Sequence, residues 1–354
     1  MANFDEMRFA VEALTGGKNT VLLDDMDMPS IMVKWEKQKL SAIMAGGSDA
    51  IHPGSIVNGV EKTMYVSKYQ NIVMNDRAYS LPFMDPATYL NFDNAVSASR
   101  AKGEGWGLMP YSLWCEIALW CRKNGTLPRG NNNFGSDASY PHEVGTPSCE
   151  LDSSGKVQRT ATGSGPATWN HNWQPDGIAD LNGNVWEWCA GMRLKDGVIQ
   201  IIPNANCMDP EVSLSASSTY WKEINSSGVF VDQGSTDTLK WDWVSGRIQL
   251  TNGAVSFTQD VGNGIQYKDM TIASGLTAPE LAKALLLYPD EPNGDYGGDY
   301  HWMNTRGERL PHCGGRWYYT SSAGVFLVDL DYVRGSANGH LGFRSAFCDL
   351  KTAA

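Results

Sequence analysis

The chain has 354 residues, of which 42% are hydrophobic and 10% aromatic, and its formal net charge is −11. This length is enough for one large core or two smaller ones, and no apolar run of roughly 18 residues predicts a membrane span. The acidic balance, without a basic cluster, lacks the electrostatic footprint of nucleic-acid binding. We therefore expect a soluble globular protein with no nucleic-acid partner and no membrane insertion.

The N-terminal stretch MANFDEMRFAVEALTGG predicts one short helix. Apolar residues recur there at steps of three and four, at Phe4, Met7, Val11 and Leu14. Gly16 and Gly17 end the pattern. The stretch lacks the basic and apolar regions of a secretory signal. We interpret residues 1–27 as an N-terminal attachment or oligomerisation segment, followed by one domain at 28–354.

From Met28 onward, strand-like pieces such as SIMVKW and TMYVSKY alternate with two predicted helices. The first runs from about Pro86 to Lys102 and is closed by Gly103. The second is PYSLWCEIALWCRKNG, with Pro110 near its first turn and Gly125 as its left-handed cap. Two helices followed by strands and loops indicate the α+β class.

The middle of the chain is rich in loops and turns. Residues 128–173 show no period, but their Tyr140, Trp169 and Trp173 favour an ordered, packed loop over disorder. In DLNGNVWEW, Asn182 and Gly183 predict a tight turn before a strand. Residues 193–271 are interpreted as an inserted β-hairpin subdomain, with turns at Asp196-Gly197 and Asn252-Gly253.

The seven cysteines never form a C-x-x-C motif and predict reduced, mostly buried thiols in a protein made in the cytoplasm. Five histidines show no metal-ligand spacing: His52, His142, His171, His301 and His312. The loop from Asp290 to Asp299 carries acids that suit calcium, but it matches no EF-hand template, so a solvated acidic loop is preferred. We expect no metal and no cofactor.

Four motifs occur in a fixed order along the chain: GWGLMPYSLWCEIALW, DLNGNVWEW, GGRW and GFR. Together they resemble the C-type lectin fold in its formylglycine-generating-enzyme variety, over about residue 28 to the end. Enzymes of that family oxidise a substrate cysteine with two cysteines placed shortly after a Gly-Gly-Ser turn. Here the corresponding places fall near Tyr319 and Gly324, while Cys313 and Cys348 lie off the motif. The resemblance thus implies no catalytic residue, with copper-dependent thiol oxidation kept as the alternative function.

The segment from Gly314 to Arg344 also resembles the terminal segment of variable proteins of diversity-generating retroelements, which are ligand-binding proteins often carried at bacteriophage tail-fibre tips. In that family, adenine miscopying of Asn codons gives no Lys, Glu, Gln, Met or Trp. Residues 314–347, the expected variable region, contain no Lys, Glu, Gln or Met, and their one Trp belongs to the fixed frame.

The resemblance assigns positions of this segment either to a fixed frame or to a diversified, ligand-binding set. The frame residues it implies are Trp317, Ala323, Gly324, Phe326, Arg334, Gly342, Phe343 and Arg344. The diversified, ligand-binding candidates are Arg316, Tyr318, Tyr319, Thr320, Ser322, Asp329, Asp331, Tyr332, Gly335, Ser336, Ala337, Asn338, Gly339 and His340.

Elementary strand geometry gives this division a physical basis. In FLVDLDY, alternation predicts that Phe326, Val328 and Leu330 face a core while Asp329 and Asp331 face outward. We expect the strand to end or bulge at Tyr332. Tyrosines with Ser, Gly and Asn are typical of antibody-like contact surfaces. The plainer interpretation is an ordinary surface loop.

The expected function is therefore receptor binding by a hypervariable surface. The resemblance implies a partner that is a bacterial surface protein or glycan, and a location at the tail-fibre tip of a virion, with display on a host cell less favoured. A homotrimer is expected at such a tip. The ligand itself cannot be identified from the sequence, because its contact residues are the ones that change.

Overall fold

The most regular helical pattern of the sequence forms a helix at Tyr111–Asn124 in the computed structural model, which describes residues 4–351. Pro110 precedes it and Gly125 ends it with a φ of 68°, as predicted. Ten of its residues are buried, so this helix lies inside the core. The α-helices of the described chain are Asp5–Thr15 (α1), Leu40–Ile43 (α2), Phe92–Arg100 (α3), Tyr111–Asn124 (α4) and Glu280–Ala284 (α5).

Strands make up most of the remaining regular structure. Before and within the central region they are Asn19–Leu23 (β1), Pro29–Trp35 (β2), Ile56–Val57 (β3), Val60–Glu61 (β4), Met64–Ser67 (β5), Ile72–Met74 (β6), Arg77–Tyr79 (β7), Trp106–Leu108 (β8), Trp186–Trp188 (β9), Met192–Lys195 (β10), Val198–Ile201 (β11) and Lys222–Ile224 (β12). They continue with Phe230–Val231 (β13), Lys240–Val244 (β14), Arg247–Thr251 (β15), Asn263–Gln266 (β16), Thr271–Ile272 (β17), Tyr300–Met303 (β18), Glu308–Arg309 (β19), His312–Gly314 (β20), Gly324–Leu330 (β21), Leu341–Phe343 (β22) and Ser345–Phe347 (β23).

These strands form three larger sheets and two small hairpins. A five-stranded sheet has the order β1-β2-β5-β23-β8, and a six-stranded sheet has the order β16-β18-β21-β20-β9-β22. An eight-stranded sheet contains β10 to β15, β17 and β19. Most pairs are antiparallel, but β9 with β22, β18 with β21 and β15 with β17 are parallel. The protein is thus a mixed α and β structure dominated by sheets.

Strands β21, β20, β9 and β22 of the six-stranded sheet are buried on both faces. Phe326, Val328 and Leu330 of β21 join the main core that also holds α4. Leu327 points into a second cluster with Trp186 and Trp188 of β9. Since side chains alternate along a strand, the two faces of β21 serve two cores.

The first predicted helix is shorter than its sequence pattern suggested. It begins at Phe92, because the side chain of Asn91 accepts a hydrogen bond from Asn94 N at 2.9 Å and caps the helix there. Tyr89 has a φ of 60°, which is incompatible with a helix that starts at Pro86. The prediction of a helix from Pro86 to Lys102 was wrong at its start.

One of the two predicted hairpin turns was also wrong. Asp196 and Gly197 connect β10 to β11 with positive φ at both positions, as predicted. Asn252 and Gly253 do not connect a hairpin; β14 and β15 are joined instead by Ser245 and Gly246, with φ of 51° and 77°. The sheet built by this region also takes in β19, from outside residues 193–271. The insertion therefore stays an interpretation.

The N-terminal segment contains the predicted helix α1, ended by Gly16 with a φ of 61°. The next strand, β1, pairs along its whole length with β2 and so joins residues before and after Met28 in one sheet. Phe9 and Leu14 of α1 are exposed. No helix within residues 4–351 is long and apolar enough to cross a membrane.

Candidate functional site

Glu187 and Arg344 hold two of the sequence motifs together. Both side chains are at most 1% exposed, and the guanidinium donates two hydrogen bonds to the carboxylate, from Nε and from Nη2. Arg344 also donates to the carbonyl oxygens of Ser67 and Ala179, at 3.1 and 3.0 Å. A buried ion pair of this kind needs further hydrogen-bond partners for its charged groups, and these two carbonyl oxygens supply them for Arg344.

Asn184 ties the long loop to this pair. Its Nδ2 donates to Gln70 Oε1 at 2.8 Å, and Gln70 donates in turn to Glu187 Oε1 at 3.1 Å. Its Oδ1 accepts from Thr160 N at 2.8 Å and from Asn131 Nδ2 at 3.1 Å. The region 128–173 is therefore anchored by buried hydrogen bonds, as the ordered-loop prediction requires.

The frame residues implied by the resemblance are packed inside the protein. Gly314 and Gly315 have φ of 87° and 90°, and a Cβ on Gly315 would approach the Cβ of Ala323 to 2.7 Å. Arg334 is half-buried and pairs with Glu308 and Asp93. The other frame residues are buried, namely Trp317, Ala323, Gly324, Phe326, Gly342, Phe343 and Arg344.

Thirteen of the fourteen ligand-binding candidates lie at the surface, and we call them the variable face. Four are exposed: Tyr318, Thr320, Gly335 and Ala337. Nine are half-buried: Arg316, Tyr319, Ser322, Asp331, Tyr332, Ser336, Asn338, Gly339 and His340.

The structure brings residues from both ends of the variable face into one cluster. Arg316 Nη1 donates to His340 Nε2, and its guanidinium carbon lies 4.1 Å from the ring centre of Tyr318. The rings of Tyr318 and Tyr319 are 5.7 Å apart. The hydroxyl of Tyr332 lies 3.4 Å from the same Nε2 of His340. One cation and a group of aromatic rings thus form a shared contact patch.

The charge state of this cluster follows from its surroundings. Burial, with the neighbouring Arg316, lowers the pKa of His340 to about 4, so the ring is neutral near pH 7 and accepts from Arg316. Burial raises the pKa of Tyr319 to about 12, so its hydroxyl keeps its proton. At neutral pH, Arg316 is therefore the charged group among these three residues.

Asp329 does not face outward, and that prediction was wrong. The residue is 3% exposed and lies opposite His312 where β20 pairs with β21. Alternation correctly separated it from Phe326 and Val328, but the second face of the sheet is covered, because Tyr319 and Tyr332 pack against the cluster on that side. Burial raises the pKa of Asp329 to about 7.

The neighbours of Asp329 in sequence behave closer to expectation. Asp331 is half-buried and accepts a hydrogen bond from Asn304 Nδ2 at 2.9 Å. The strand ends at Leu330, so Tyr332 lies beyond it as predicted. The Tyr332 ring stands edge-on to the ring of His312, with centres 4.4 Å apart.

Two residues outside the variable region also border the face, and no sequence pattern indicated them. Phe134 stacks on Tyr318 with ring centres 6.1 Å apart, and its backbone N donates to the carbonyl of Trp317. Tyr89 is 71% exposed, and its N donates to the carbonyl of Asn338 at 2.9 Å. Both have positive φ, near 50° and 60°, which propensity cannot predict for a bulky residue.

The positions at which the resemblance to the enzymes would place catalytic cysteines hold no thiol. Tyr319 packs on Trp186 and Gly324 lies against the carboxylate of Asp299. Cys313 is fully buried, and burial raises the pKa of its thiol well above the ordinary value. Burial likewise raises the pKa of Cys348 to about 12. Both thiols are therefore kept in their protonated, weakly nucleophilic form.

The acids of the glycine-rich loop are engaged by the protein. Asp290 accepts from Arg122 Nη2 at 2.5 Å and from the hydroxyl of Tyr296 at 2.8 Å. Asp299 accepts from Phe326 N at 2.8 Å. Within residues 4–351 the structure shows no group of three or more His, Cys, Asp or Glu residues arranged to hold a metal ion.

These features define a surface of polar and aromatic residues carried by a closely packed frame. The chain is similar to solved structures of variable proteins, among them Treponema denticola variable protein 1, with 11% identity over 93% of this chain and 98% of that chain and a TM-score of 0.33. It is also similar to the Major Tropism Determinant P3c variant, with 10% identity and a TM-score of 0.33, and to the U1 variant, with 10% identity and a TM-score of 0.32, each over 93% of this chain and 71% of that chain.

No family model and no curated protein matches the sequence. The functional interpretation therefore rests on the residues of this chain.

Proposed function

We propose that this protein is a receptor-binding protein whose variable face is diversified by a retroelement, carried on a C-type lectin frame of the formylglycine-generating-enzyme variety. The observation that carries the proposal is the partition within residues 314–344. Seven of the eight frame positions are buried, whereas thirteen of the fourteen candidate positions reach the surface. Surface positions tolerate substitution at little cost in stability.

The chemistry of the face suits protein or glycan recognition. Tyr318, Tyr319 and Tyr332 supply large contact areas with few rotatable bonds, and Arg316 adds a charged donor among them. Tyrosine and arginine are the residue types enriched where binding energy concentrates. The proposed partner is therefore a protein or glycan on a bacterial surface.

Binding is favoured over thiol oxidation by the state of the cysteines. Cys313 is sealed in the core, and the positions that need thiols hold Tyr319 and Gly324. The alternative predicts copper-dependent oxidation of a peptide thiol that is lost in Cys313→Ser. We expect no such oxidation, and unchanged receptor binding in that variant.

The proposed setting is the tip of a phage tail fibre, where several copies would act together. A homotrimer there would raise the effective concentration of each face, so that modest single-site affinity suffices. Light scattering on the purified chain tests this part of the proposal: a trimer supports it, and a stable monomer at working concentration contradicts it.

The receptor-binding proposal is tested by adsorption of the purified protein to a panel of bacterial strains. A variant with Tyr318→Asn, Thr320→Asn and Ala337→Asp changes three exposed positions of the variable face. We expect it to stay folded and to lose adsorption to the strain that binds the wild type. Tyr220→Asn, at a residue 46% exposed outside the face, is the matched control. Equal adsorption by all three proteins would contradict the proposal.

The retroelement part has its own test in the surrounding DNA. It predicts a near-copy of the codons for residues 314–347 that differs almost only where the copy has adenine, beside a reverse transcriptase gene. A genome in which no such copy accompanies the gene would contradict diversification while leaving receptor binding open to the adsorption experiment.

A further inference from the structure

A pocket of about 490 Å³ lies between the ordered loop and the start of β21. Its walls include Leu127, Asn132, Tyr140, Trp173, Asp299 and Ser321. None of the fourteen diversified candidates lines it, although Ser321 lies between two of them. The volume falls within the range of small-molecule sites in proteins. This pocket belongs to the constant part of the chain.

Two aromatic side chains are held in the pocket wall around one guanidinium. The guanidinium carbon of Arg129 is 3.3 Å from the ring centre of Tyr140 and 5.3 Å from that of Trp173. The indole of Trp173 is fixed by a hydrogen bond from Nε1 to the carbonyl of Leu127 at 3.1 Å. Trp173 has a φ of 55°, an unfavourable conformation for a bulky residue and one that recurs at binding sites.

Asp299 places a buried carboxyl group in the wall of the pocket. Asp299 is 4% exposed, and its Oδ2 accepts from Phe326 N at 2.8 Å. Its Oδ1 lies close to Gly297 and Gly324, which both line the pocket, so this oxygen is placed to accept a hydrogen bond from a ligand. Burial raises the pKa of Asp299 well above its ordinary value.

The charges of the wall disfavour an anionic ligand. Arg122 is paired with Asp290, and Arg129 donates to Glu143, so both cations are already neutralised. Asp295 adds a further carboxyl group to the lining. A ligand with many hydroxyl groups and no negative charge fits this set, because it offers donors to the oxygens and an apolar ring face to the aromatic side chains.

We propose that this pocket binds a terminal unit of a neutral saccharide, with a sugar face against Tyr140 or Trp173 and a hydroxyl group on Asp299. The pocket adjoins the variable face, since Thr320 N donates to the carbonyl of Asn132 at 2.8 Å. A larger glycan or glycoprotein would therefore contact both. The constant pocket supplies a weak, common anchor, and the variable face supplies selectivity.

The test is saturation-transfer NMR on the full chain with glucose, galactose, mannose and N-acetylglucosamine as probes. We expect at least one of them to bind with a dissociation constant on the order of 1–10 mM. N-acetylneuraminic acid, a negatively charged sugar, is expected to bind more weakly than that probe. Absence of binding by all four neutral sugars at about 20 mM would overturn the proposal.

Two variants of pocket residues test whether the sugar binds in this pocket. Trp173→Gly suits the positive φ at that position and removes the indole, while Asp299→Asn keeps an acceptor for Phe326 N but replaces the second carboxyl oxygen, the proposed acceptor, with an amide donor. Each is expected to weaken the binding about tenfold. Tyr220→Ala is the control, because its ring is exposed elsewhere and should leave binding unchanged. Thermal unfolding checks that each variant folds. If Asp299→Asn does not fold, Trp173→Gly alone tests whether the sugar binds in this pocket.

Sugar binding that survives both Trp173→Gly and Tyr140→Ala would also overturn the assignment. Neither outcome depends on the receptor-binding proposal, because the probes are monosaccharides and the changed residues lie outside the variable face. Conversely, the triple variant of the variable face should keep monosaccharide binding while it loses adsorption to bacteria. Each of the two proposals can therefore be contradicted without contradicting the other.

Discussion

Arg344 and Glu187 form a buried ion pair that joins two motifs separated by 157 positions in the chain. The pair lies between the strands that frame the variable region, and Gln70 and Asn184 extend it to the long loop. This network gives the frame an internal support that involves no residue of the variable face.

Glu187→Gln should therefore destabilise the protein strongly. The change leaves the Arg344 charge buried without its counter-charge, and breaking such a pair costs about 3–5 kcal/mol. Urea unfolding followed by tryptophan fluorescence measures the loss. Tyr318→Asn, on the exposed face, is the control and should change the free energy of unfolding by less than about 0.5 kcal/mol. A small effect of Glu187→Gln would show that the frame does not depend on this pair.

Asp329 should make the wild-type protein less stable as the pH rises. Its folded-state pKa of about 7 lies above the ordinary value of 3.8, because burial disfavours the charged carboxylate. Well below pH 3.8 the carboxyl group is protonated in both the folded and the unfolded state, and its burial then costs no ionisation energy. As the pH rises towards 7, the carboxyl group of Asp329 ionises more readily in the unfolded chain than in the folded protein. The free energy of unfolding therefore falls, by up to about 4 kcal/mol.

Asp329→Asn isolates this effect from other titrating groups. The amide cannot ionise, and its oxygen is able to keep the hydrogen bond that Asp331 N donates at 2.8 Å. The stability of the variant relative to wild type should therefore increase between pH 4 and pH 8 in urea unfolding. Parallel pH profiles for the two proteins would contradict the buried placement of Asp329.

Thr320 offers a stabilising substitution. It has a φ of 53°, a conformation that is costly for a β-branched residue and better tolerated by Asn. Thr320→Asn keeps the backbone hydrogen bond to Asn132 and should raise the free energy of unfolding by about 1 kcal/mol. Ser322→Asn, nearby but without a positive φ, is the matched control and should give no such gain. A loss of stability in Thr320→Asn would contradict this expectation.

Local sequence signals predicted part of the local structure. Helix α4, with Pro110 before it and Gly125 after it, follows directly from helical spacing and cap chemistry. The same holds for the turn at Asp196 and Gly197. The partition between frame and candidate positions came from the order of the motifs, and burial agrees with it at all but Asp329 and the half-buried Arg334.

Features that depend on tertiary packing could not be predicted from the sequence. Alternation gives the direction of Asp329 but not what covers that side of the sheet, and only the structure places Tyr319 and Tyr332 over it. The start of α3 at Phe92 depends on the cap at Asn91 and on the positive φ of Tyr89. The approach of Phe134 to Tyr318 is a long-range contact with no local pattern. Each required knowledge of the fold.

The central claim is that the frame keeps its structure whatever occupies the variable face. The most direct test is a pair of pooled libraries scored by resistance to proteolysis. One randomises the thirteen positions of the variable face, and the other randomises frame positions Trp317, Ala323, Phe326, Phe343 and Arg344. We predict that most members of the first library stay folded and few of the second do. Comparable losses in both libraries would contradict the claim.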